Sequence, residues 1–414
     1  MKPSESGSVI SRLLQTSAGR WRVGMVAIVL AVPAFVAAPD AAAGPAHGLT
    51  AVAGSAVLLS VSCSSAEACI AVGSRPGSNT LAEKWDGKAW TIIPTAHPRG
   101  ATDSNFYAVS CSSSHACMAV GGYETNSHPH GQLPFAEVWN GKTWRVKATP
   151  QPSSDSALNG VSCHSANRCM AVGFAIDASQ NNAFSEEWNG RRWTIKRTPR
   201  PLGTTFSSLD AISCVSASVC MAVGDYQVNG SSDSLTLAEA WNGKRWARKV
   251  TPNPASGANG SQLNGVSCRS ARACVGVGSY ANTSNSGGLT LAETWNGKSW
   301  AISASGNNAT SAASTLQGVS CPSTNVCVAV GSETSSSFVG STLAERWTGE
   351  QWTFEATPNP ESATQSALDG VSCGSPGACV AVGSYFTNSG QGGFPLPVTE
   401  VRNGATWTIA TTPF

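Results

Sequence analysis

The sequence has few charged residues and lacks the patterns of helices, membrane spans and common catalytic sites. Charged residues make up only 12% of the 414 residues, which is too few for a charge-rich disordered chain. No apolar run of membrane-spanning length follows the N-terminal segment, and no stretch shows helical periodicity. No Ser-His-Asp order, phosphate-cradling glycine loop or metal-ligand spacing is present, so neither a cofactor nor a metal is predicted.

Residues 1–43 have the organisation of a secretory signal. Basic residues precede an apolar run from Val23 to Ala38, and the small residues 41–43 follow it. This order is typical of a signal peptide cleaved near Ala43, and an uncleaved anchor is the alternative. We therefore expect a secreted, extracellular protein, with residues 44–57 as an N-terminal segment and no membrane span after cleavage.

The charge balance argues against a polyanionic partner. The formal net charge is +2, and loss of residues 1–43 would remove four basic and two acidic residues, which leaves a neutral chain. Nucleic-acid binding is driven largely by counterions that basic side chains release from phosphates, and a neutral protein without a stripe of basic residues lacks this contribution. We expect a monomer without a nucleic-acid partner.

The 14 cysteines divide the chain into seven repeats. Each pair has the spacing Cys-x5-Cys, and the pairs recur about every 50 residues. The pairs are Cys63 and Cys69, Cys111 and Cys117, Cys163 and Cys169, Cys214 and Cys220, Cys268 and Cys274, Cys321 and Cys327, and Cys373 and Cys379. An even count in an exported chain predicts seven disulfides, one within each repeat. Zinc binding is the alternative, although no histidine recurs with the pairs and the spacing is not that of zinc ligands.

Each repeat predicts four short strands. Val-Ser-Cys and Cys-x-Ala-Val-Gly are β-branched stretches, a later Glu-x-Trp ends the third strand, and Asn-Gly closes a hairpin to the fourth. Seven four-stranded antiparallel units predict an all-β, seven-bladed β-propeller over residues 58–414, and an open stack is the alternative. The blades are expected to start near residues 58, 106, 158, 209, 263, 316 and 368. Whether residues 44–57 add a strand that closes the ring stays open.

The repeat resembles that of secreted actinobacterial proteins that are grouped loosely with kelch and galactose-oxidase-like propellers. The resemblance rests on Val-Ser-Cys-x5-Cys-x-Ala-Val-Gly followed by Ala-Glu-x-Trp-Asn-Gly-x-x-Trp, and it covers residues 58–414. It implies a propeller fold. It implies no cofactor, because a copper-ligating set of tyrosine and histidine is absent from the sequence.

Residues that recur in every repeat are explained most simply by the blade itself. A glutamate stands two residues before the first Trp position of each repeat: Glu83, Glu137, Glu186, Glu239, Glu293, Glu345 and Glu400. We interpret these as buried carboxylates that accept backbone or Trp N–H bonds between blades, with a ligand role as the alternative. In the last repeat Arg402 replaces the Trp, and it either pairs with Glu400 or marks a specialised closure.

Residues that do not recur are the better site candidates, and they concentrate on one face. In an antiparallel blade the loops between strands two and three share a face with the links between blades, and these loops vary. Tyr123, Tyr226, Tyr280 and Tyr385 follow the Gly of strand two, where they either stack on sugar rings or anchor loops. Further candidates, among them Asp210 and Asp369, stand two residues before the Val or Ile of strand one: Leu59, Tyr107, Asn159, Asp210, Asn264, Gln317 and Asp369. These side chains either bind a cation or polar ligand or hydrogen-bond the neighbouring blade.

Three classes of function remain. The first is a secreted, non-catalytic binding or scaffold propeller whose ligand, a glycan or envelope component, binds the variable face. It fits every feature, so the sequence favours a protein that is not an enzyme. A secreted glycan-processing hydrolase or oxidase-like enzyme is the alternative, and a hydrolase needs two positioned carboxylates. Glu124, Asp177, Asp225 and Glu333 lie on the right loops, but no pairing is predicted. A structural or adhesion protein is the second alternative.

Overall fold

The computed structural model describes residues 55–77, 79–177, 180–231, 233–254, 260–282, 285–306, 311–387 and 395–414, without the side chains of 129, 130, 282 and 285–287. The predicted signal segment and residues 44–54 lie outside the described residues. Within the described ranges there is no helix of the length and apolarity needed to cross a membrane.

The described chain forms seven antiparallel four-stranded sheets in sequence order, which confirms the predicted seven-bladed propeller. The first, innermost strands are β1 (Val57–Ser65), β5 (Ala101–Ser113), β9 (Asp155–Ser165), β13 (Thr204–Ser216), β17 (Ser261–Ser270), β21 (Ser311–Ser323) and β25 (Ala363–Ser375). The second strands are β2 (Ala68–Arg75), β6 (Ala116–Thr125), β10 (Arg168–Asp177), β14 (Val219–Val228), β18 (Ala273–Asn282), β22 (Val326–Ser335) and β26 (Ala378–Thr387).

The third and fourth strands complete each blade. The third strands are β3 (Asn79–Trp85), β7 (His128–Trp139), β11 (Gln180–Trp188), β15 (Ser234–Trp241), β19 (Asn285–Trp295), β23 (Gly340–Trp347) and β27 (Leu396–Asn403). The short outer strands are β4 (Trp90–Ile92), β8 (Trp144–Lys147), β12 (Trp193–Lys196), β16 (Trp246–Lys249), β20 (Trp300–Ser303), β24 (Trp352–Glu355) and β28 (Thr406–Ala410). One parallel bridge between Asn181 and Phe206 joins the third and fourth blades.

Local chemistry explains the hairpins. All seven predicted disulfides form, each between the first two strands of one blade, and no cysteine is free. In the third blade Trp188 pairs with Trp193 across a four-residue turn. There the Asn189 Oδ1 accepts the backbone N–H groups of Arg191 and Arg192, while Gly190 adopts a φ of 91°. The asparagine thus acts through its side chain, and only the glycine takes the positive φ.

The apolar core lies between blades. Each of the seven buried clusters combines second-strand side chains of one blade with a large inner-strand residue of the next, a leucine in six blades and Phe106 in the second, and with one or two tryptophans of that next blade. At the third interface, for example, Met170 and Val172 contact Leu209 and Trp241. The cluster between the last and first blades has the same composition, with Val380 and Val382 packed against Leu58. A blade without neighbours would therefore expose both faces.

A circle of hydrogen bonds also closes the ring. The serine before the first cysteine of each blade accepts the backbone N–H of the equivalent cysteine in the next blade, at 2.9–3.0 Å. In the last blade Ser372 accepts the N–H of Cys63 from the first blade at 2.9 Å. The serines are Ser62, Ser110, Ser162, Ser213, Ser267, Ser320 and Ser372. In the described residues the ring therefore closes without a strand shared between two blades.

Arg402 pairs between blades, so the suggested partner Glu400 was wrong. Its guanidinium binds Glu355 of the sixth blade through Nε at 2.7 Å and Nη2 at 2.6 Å, and its Nη1 donates to the carbonyl of Pro376. The side chain is buried, and Trp407 Nε1 also donates to Glu355. The pair lies between blades six and seven and not at the closure between seven and one. A bidentate geometry with further donors is what a buried ion pair requires.

The repeated glycine of strand two accommodates an irregularity in strand one. Every inner strand has a bulge at the residue after its buried leucine, which is Phe106 in the second blade, and the glycine lies opposite that buried side chain. A Cβ on Gly278 would lie 2.0 Å from the carbonyl oxygen of Gln262. At Gly173 the close contact is likewise with the inner strand of the same blade, at Ala157, and not with the neighbouring blade.

We expect Gly278→Ala to destabilise the propeller and Gly276→Ala, two residues earlier, to leave it intact. The Gly278→Ala substitution places a Cβ against the backbone and should lower the free energy of unfolding by about 1–3 kcal/mol. A Cβ on Gly276 has no neighbour nearer than 3.5 Å, and all six other blades carry alanine there. This change should therefore be neutral or stabilise the protein by up to about 1 kcal/mol. Urea unfolding measures both. Equal effects of the two substitutions would contradict this account of the bulge.

Candidate functional site

The propeller has two different faces. The disulfide face carries the disulfide hairpins and the turns between the third and fourth strands. The loop face carries the connections between the second and third strands and the links between blades. The predicted candidates Tyr123, Tyr226, Tyr280 and Tyr385 lie near the ends of the second strands at the loop face, as the strand order requires.

The seven bulges place one side chain per blade at equivalent positions on the innermost strands. A bulged residue is left out of the ladder and its side chain is re-aimed. The bulge residues are Leu59, Tyr107, Asn159, Asp210, Asn264, Gln317 and Asp369, the set that the sequence singled out. All seven are half-buried. The ring that they form is called the bulge ring below.

Part of the bulge ring connects neighbouring blades. Asn159 Nδ2 lies 3.3 Å from the carbonyl oxygen of Leu209 and 3.2 Å from Asp210 Oδ1 in the next blade. Asn264 Nδ2 donates in the same way to the carbonyl of Leu316 at 2.9 Å. Asp210 Oδ1 also accepts from Ser208 at 2.7 Å. These amides therefore do what the architectural interpretation predicted.

Asp369 differs from Asp210 in its surroundings. Burial raises the pKa of the Asp369 carboxyl to about 7. Its neighbours in the bulge ring are Gln317 in the sixth blade and the apolar Leu59 in the first blade. The carboxyl therefore changes charge near neutral pH.

The four tyrosines pack into blade interfaces to different extents. Tyr226 is 9% exposed, and the Arg248 guanidinium lies 4.6 Å from its ring centre and donates to its hydroxyl at 2.7 Å. Tyr123 is half-buried, with its ring edge-on to Phe135. Tyr280 and Tyr385 are half-buried against their own interface clusters. Three of the four rings thus keep part of their surface accessible.

The structure brings together carboxylates that the sequence left unpaired. Glu124 lies directly across from Asp103 in the second blade, next to the bulge residue Tyr107. Burial raises the pKa of Tyr107 to about 12; its bond to Gln132 opposes the rise, and the charges of Asp103, Glu124 and Asp155 add to it. The sequence missed Asp103 because the inner strand begins at Ala101 and not near residue 106.

The other predicted carboxylates lie apart from this group. Asp225 is completely buried, opposite Ser208 and Thr236. Asp177 is exposed at the end of its strand. Glu333 accepts a hydrogen bond from Ser311 at 2.7 Å. Among the described residues no three His, Cys, Asp or Glu side chains are grouped so as to hold a metal ion.

The repeated glutamates are buried in all seven blades, with an exposure of 0%. Glu137 accepts the backbone N–H of Ala96, and Glu345 accepts from Ser305 and Gly306, so these two bind the link from the preceding blade. In the described part of the chain both carboxylate oxygens of Glu83, Glu186, Glu239, Glu293 and Glu400 lack a hydrogen bond of standard geometry. Of the two predicted kinds of donor, backbone N–H groups bind Glu137 and Glu345, and no Trp N–H bond to any of the seven glutamates is present in the described residues.

Burial also determines the charge of these glutamates. It raises the pKa of Glu83 and Glu345 to about 7 and that of the other five to about 8. A neutral carboxyl is much less costly to bury than a carboxylate. Seven chemically equivalent groups that are closed to solvent are architectural.

Comparisons with known proteins support the fold. No protein-family model matches the chain, and no curated protein matches it. The structure is similar to a polysaccharide lyase, the PL25 ulvan lyase bound to a GlcA–Rha3S saccharide, with 10% identity, a TM-score of 0.55 and coverage of 87% of this chain and 97% of that one. It is also similar to YCF48 bound to a D1 peptide, with 11% identity, a TM-score of 0.49 and coverage of 88% and 95%. A third similar structure is the SapL1 lectin in complex with alpha methyl fucoside, with 11% identity, a TM-score of 0.43 and coverage of 87% and 98%. At 10% identity the likeness to the lyase, whose TM-score exceeds 0.5, extends to the fold alone. With its own sheets and disulfides, the protein is a disulfide-stapled, seven-bladed β-propeller.

We expect the propeller to be more stable at pH 5 than at pH 8.5. The folded-state pKa of the seven glutamates lies above the unfolded value of 4.5, so the stabilisation from protonation is complete below about pH 4.5 and is lost as the pH rises through 7–8. Glu186→Gln keeps the shape without a charge and should reduce this pH dependence. Glu187→Gln, at the neighbouring half-buried position, is the control. A melting temperature that rises between pH 5 and 8.5 would refute the assignment.

Proposed function

We propose that the protein is a secreted, non-catalytic binding propeller whose ligand, a glycan or another cell-envelope component, meets the loop face. The observation that carries this proposal is the bulge ring, in which seven equivalent positions hold five different kinds of side chain. Architecture alone would favour one residue type, as it does for the repeated glutamates. Variation on a rigid scaffold is typical of binding surfaces.

The chemistry of the loop face suits a neutral, hydroxyl-rich ligand. Amide, hydroxyl and aromatic groups predominate, and the chain outside residues 1–43 has no net charge. Amides and hydroxyls both donate and accept hydrogen bonds, and tyrosine rings stack on the apolar faces of sugars. The seven disulfides fit an oxidising, extracellular compartment.

The burial of the candidates divides their roles. We assign ligand contact to Tyr123, Tyr280 and Tyr385, with Asp369 and Asp210 at the bulge ring. Tyr226 anchors its loop, because Arg248 covers its ring and binds its hydroxyl.

Binding to a glycan array at pH 8 tests this proposal with the wild type, Tyr280→Ala and Asp369→Asn. Loss of one stacking contact removes about 1 kcal/mol, which is roughly a fivefold loss of affinity. The Asp369→Asn substitution should weaken binding by a similar factor, because the carboxylate is ionised above its pKa of about 7. Glu67→Gln, at an exposed position on the disulfide face, is the matched control. Binding that is unchanged in both loop-face variants, or no glycan binding at all, would contradict the proposal.

A glycan-processing enzyme is the second candidate, and the Asp103–Glu124 pair is the observation that favours it. Facing side chains on adjacent strands have Cβ atoms about 5 Å apart, so these two carboxyl groups can reach the separation of about 5–5.5 Å that a retaining glycosidase needs. If this candidate is correct, Glu124→Gln should reduce glycan turnover by at least about 100-fold, whereas Glu361→Gln at an exposed link should not. The binding-only proposal expects no turnover by the wild type.

A further inference from the structure

Three equivalent grooves open on the disulfide face between consecutive blades, and their volumes differ. The groove between the third and fourth blades has a volume of about 10 Å³, which is room for about one water. The next two, between blades four and five and between blades five and six, have volumes of about 340 and 210 Å³. The first of these volumes reaches the lower end of the range of small-molecule sites, and the second is large enough only for part of a ligand.

Two variable positions explain the difference in volume. In the small groove Arg168 and Glu187 occupy the space and form an ion pair at 3.7 Å. Their counterparts are Val219 and Ala240 in the groove after the fourth blade. In the groove after the fifth blade they are Ala273 and Thr294. Smaller side chains on an unchanged scaffold therefore open the groove.

The groove between the fifth and sixth blades also contains the only half-buried member of a repeated tryptophan set. In three earlier interfaces a lysine from the outer strand covers the first tryptophan of the next blade: Lys147 over Trp188, Lys196 over Trp241 and Lys249 over Trp295, at 5.7–5.9 Å from the ring centre. The equivalent position before Trp347 is Ser303, which is too short to cover the ring. Trp347 is accordingly half-buried, whereas the other five first tryptophans are 3–6% exposed.

The polar lining of this groove favours an anion. Ser267, Thr294 and Thr324 supply hydroxyl groups, Arg269 supplies a cation, and none of the residues that line the groove is acidic. Arg272 and Lys298 on the flanking turns add positive charge, and the exposed Glu350 opposes it. Guanidinium groups bind carboxylates through paired hydrogen bonds.

We propose that this groove is a second carbohydrate site, specific for a sugar that bears a carboxylate. The apolar face of the sugar stacks on Trp347 where the covering lysine is missing, the hydroxyl groups bind Thr294 and Ser267, and the carboxylate pairs with Arg269. The site lies opposite the loop face, so the loop-face proposal and this one succeed or fail separately. The larger groove after the fourth blade shares Trp295 with it, so one oligosaccharide can contact both grooves.

Calorimetric titration with hexasaccharides of alternating glucuronate and N-acetylglucosamine, and with galacturonate hexamers, tests the site. Neutral N-acetylglucosamine hexamers are the ligand control. The key variant is Ser303→Ile, which covers Trp347 with an uncharged side chain. It removes the hydroxyl that accepts a hydrogen bond from Trp352 Nε1 at 3.1 Å. It should still fold, because Ile93 occupies the same position in the first blade and packs against the cluster of Trp139, where the equivalent Trp144 Nε1 also has no partner. Ala304→Ile adds the same bulk at the exposed adjacent residue.

We expect the uronate oligosaccharides to bind the wild type more tightly than the neutral hexamer. Ser303→Ile should weaken this binding at least tenfold, and Ala304→Ile should leave it unchanged. Arg269→Gln should weaken it about fivefold and remove the preference for acidic sugars. Failure of both uronate ligands to bind, or wild-type affinity in Ser303→Ile, would overturn the site. An unchanged acidic preference in Arg269→Gln would overturn its specificity. Tyr280→Ala and Asp369→Asn should not affect this binding.

Discussion

Burial of each blade's second strand against the next blade is the interaction on which the rest of the structure depends. Every apolar cluster in the described chain contains residues from two blades, and none is complete within one. The disulfides join residues only six positions apart, so they fix hairpins and not the ring. The circle of hydrogen bonds from Cys N–H groups to Ser hydroxyl oxygens lies over the same interfaces and satisfies one inner-strand N–H per blade. Ring closure is therefore a requirement of burial, since an open chain of blades would leave two apolar faces in water.

The parts of the fold that repeat could be predicted from the sequence. The cysteine pairs set the number of blades and the first hairpin, and the tryptophans and Asn-Gly set the second hairpin. The bulge could not be predicted, because its only trace in the sequence is one extra residue in strand one. The glycine opposite that residue could equally have been explained by close packing between blades. The partner of Arg402 was missed for a different reason. Glu355 lies 47 residues away, and only the geometry of the blade interface shows which faces meet.

The candidate site was predictable in position but not in exposure. The spacing from the Gly of strand two placed the tyrosines at the loop face. It could not show that Arg248, on the outer strand of the same blade, covers Tyr226. The grooves of the disulfide face could not be predicted from the sequence for a related reason. Whether a groove is open or filled depends on side chains from two successive repeats. The role of Ser303, for example, can be inferred only once the structure shows that it lies next to Trp347 of the following blade.

The charged pair between the last two blades has a consequence for how such a chain changes during evolution. Six blades present a tryptophan to the preceding blade and most of their interfaces are interchangeable, so a single repeat could be copied or lost with little chemical mismatch. The seventh blade presents Arg402 instead, and its charge is matched only by Glu355. A duplicated seventh blade would meet Ala410 in place of Glu355 and would bury an unpaired guanidinium. The sixth and seventh blades thus match each other in charge at this junction, which distinguishes their order from that of the otherwise similar modules.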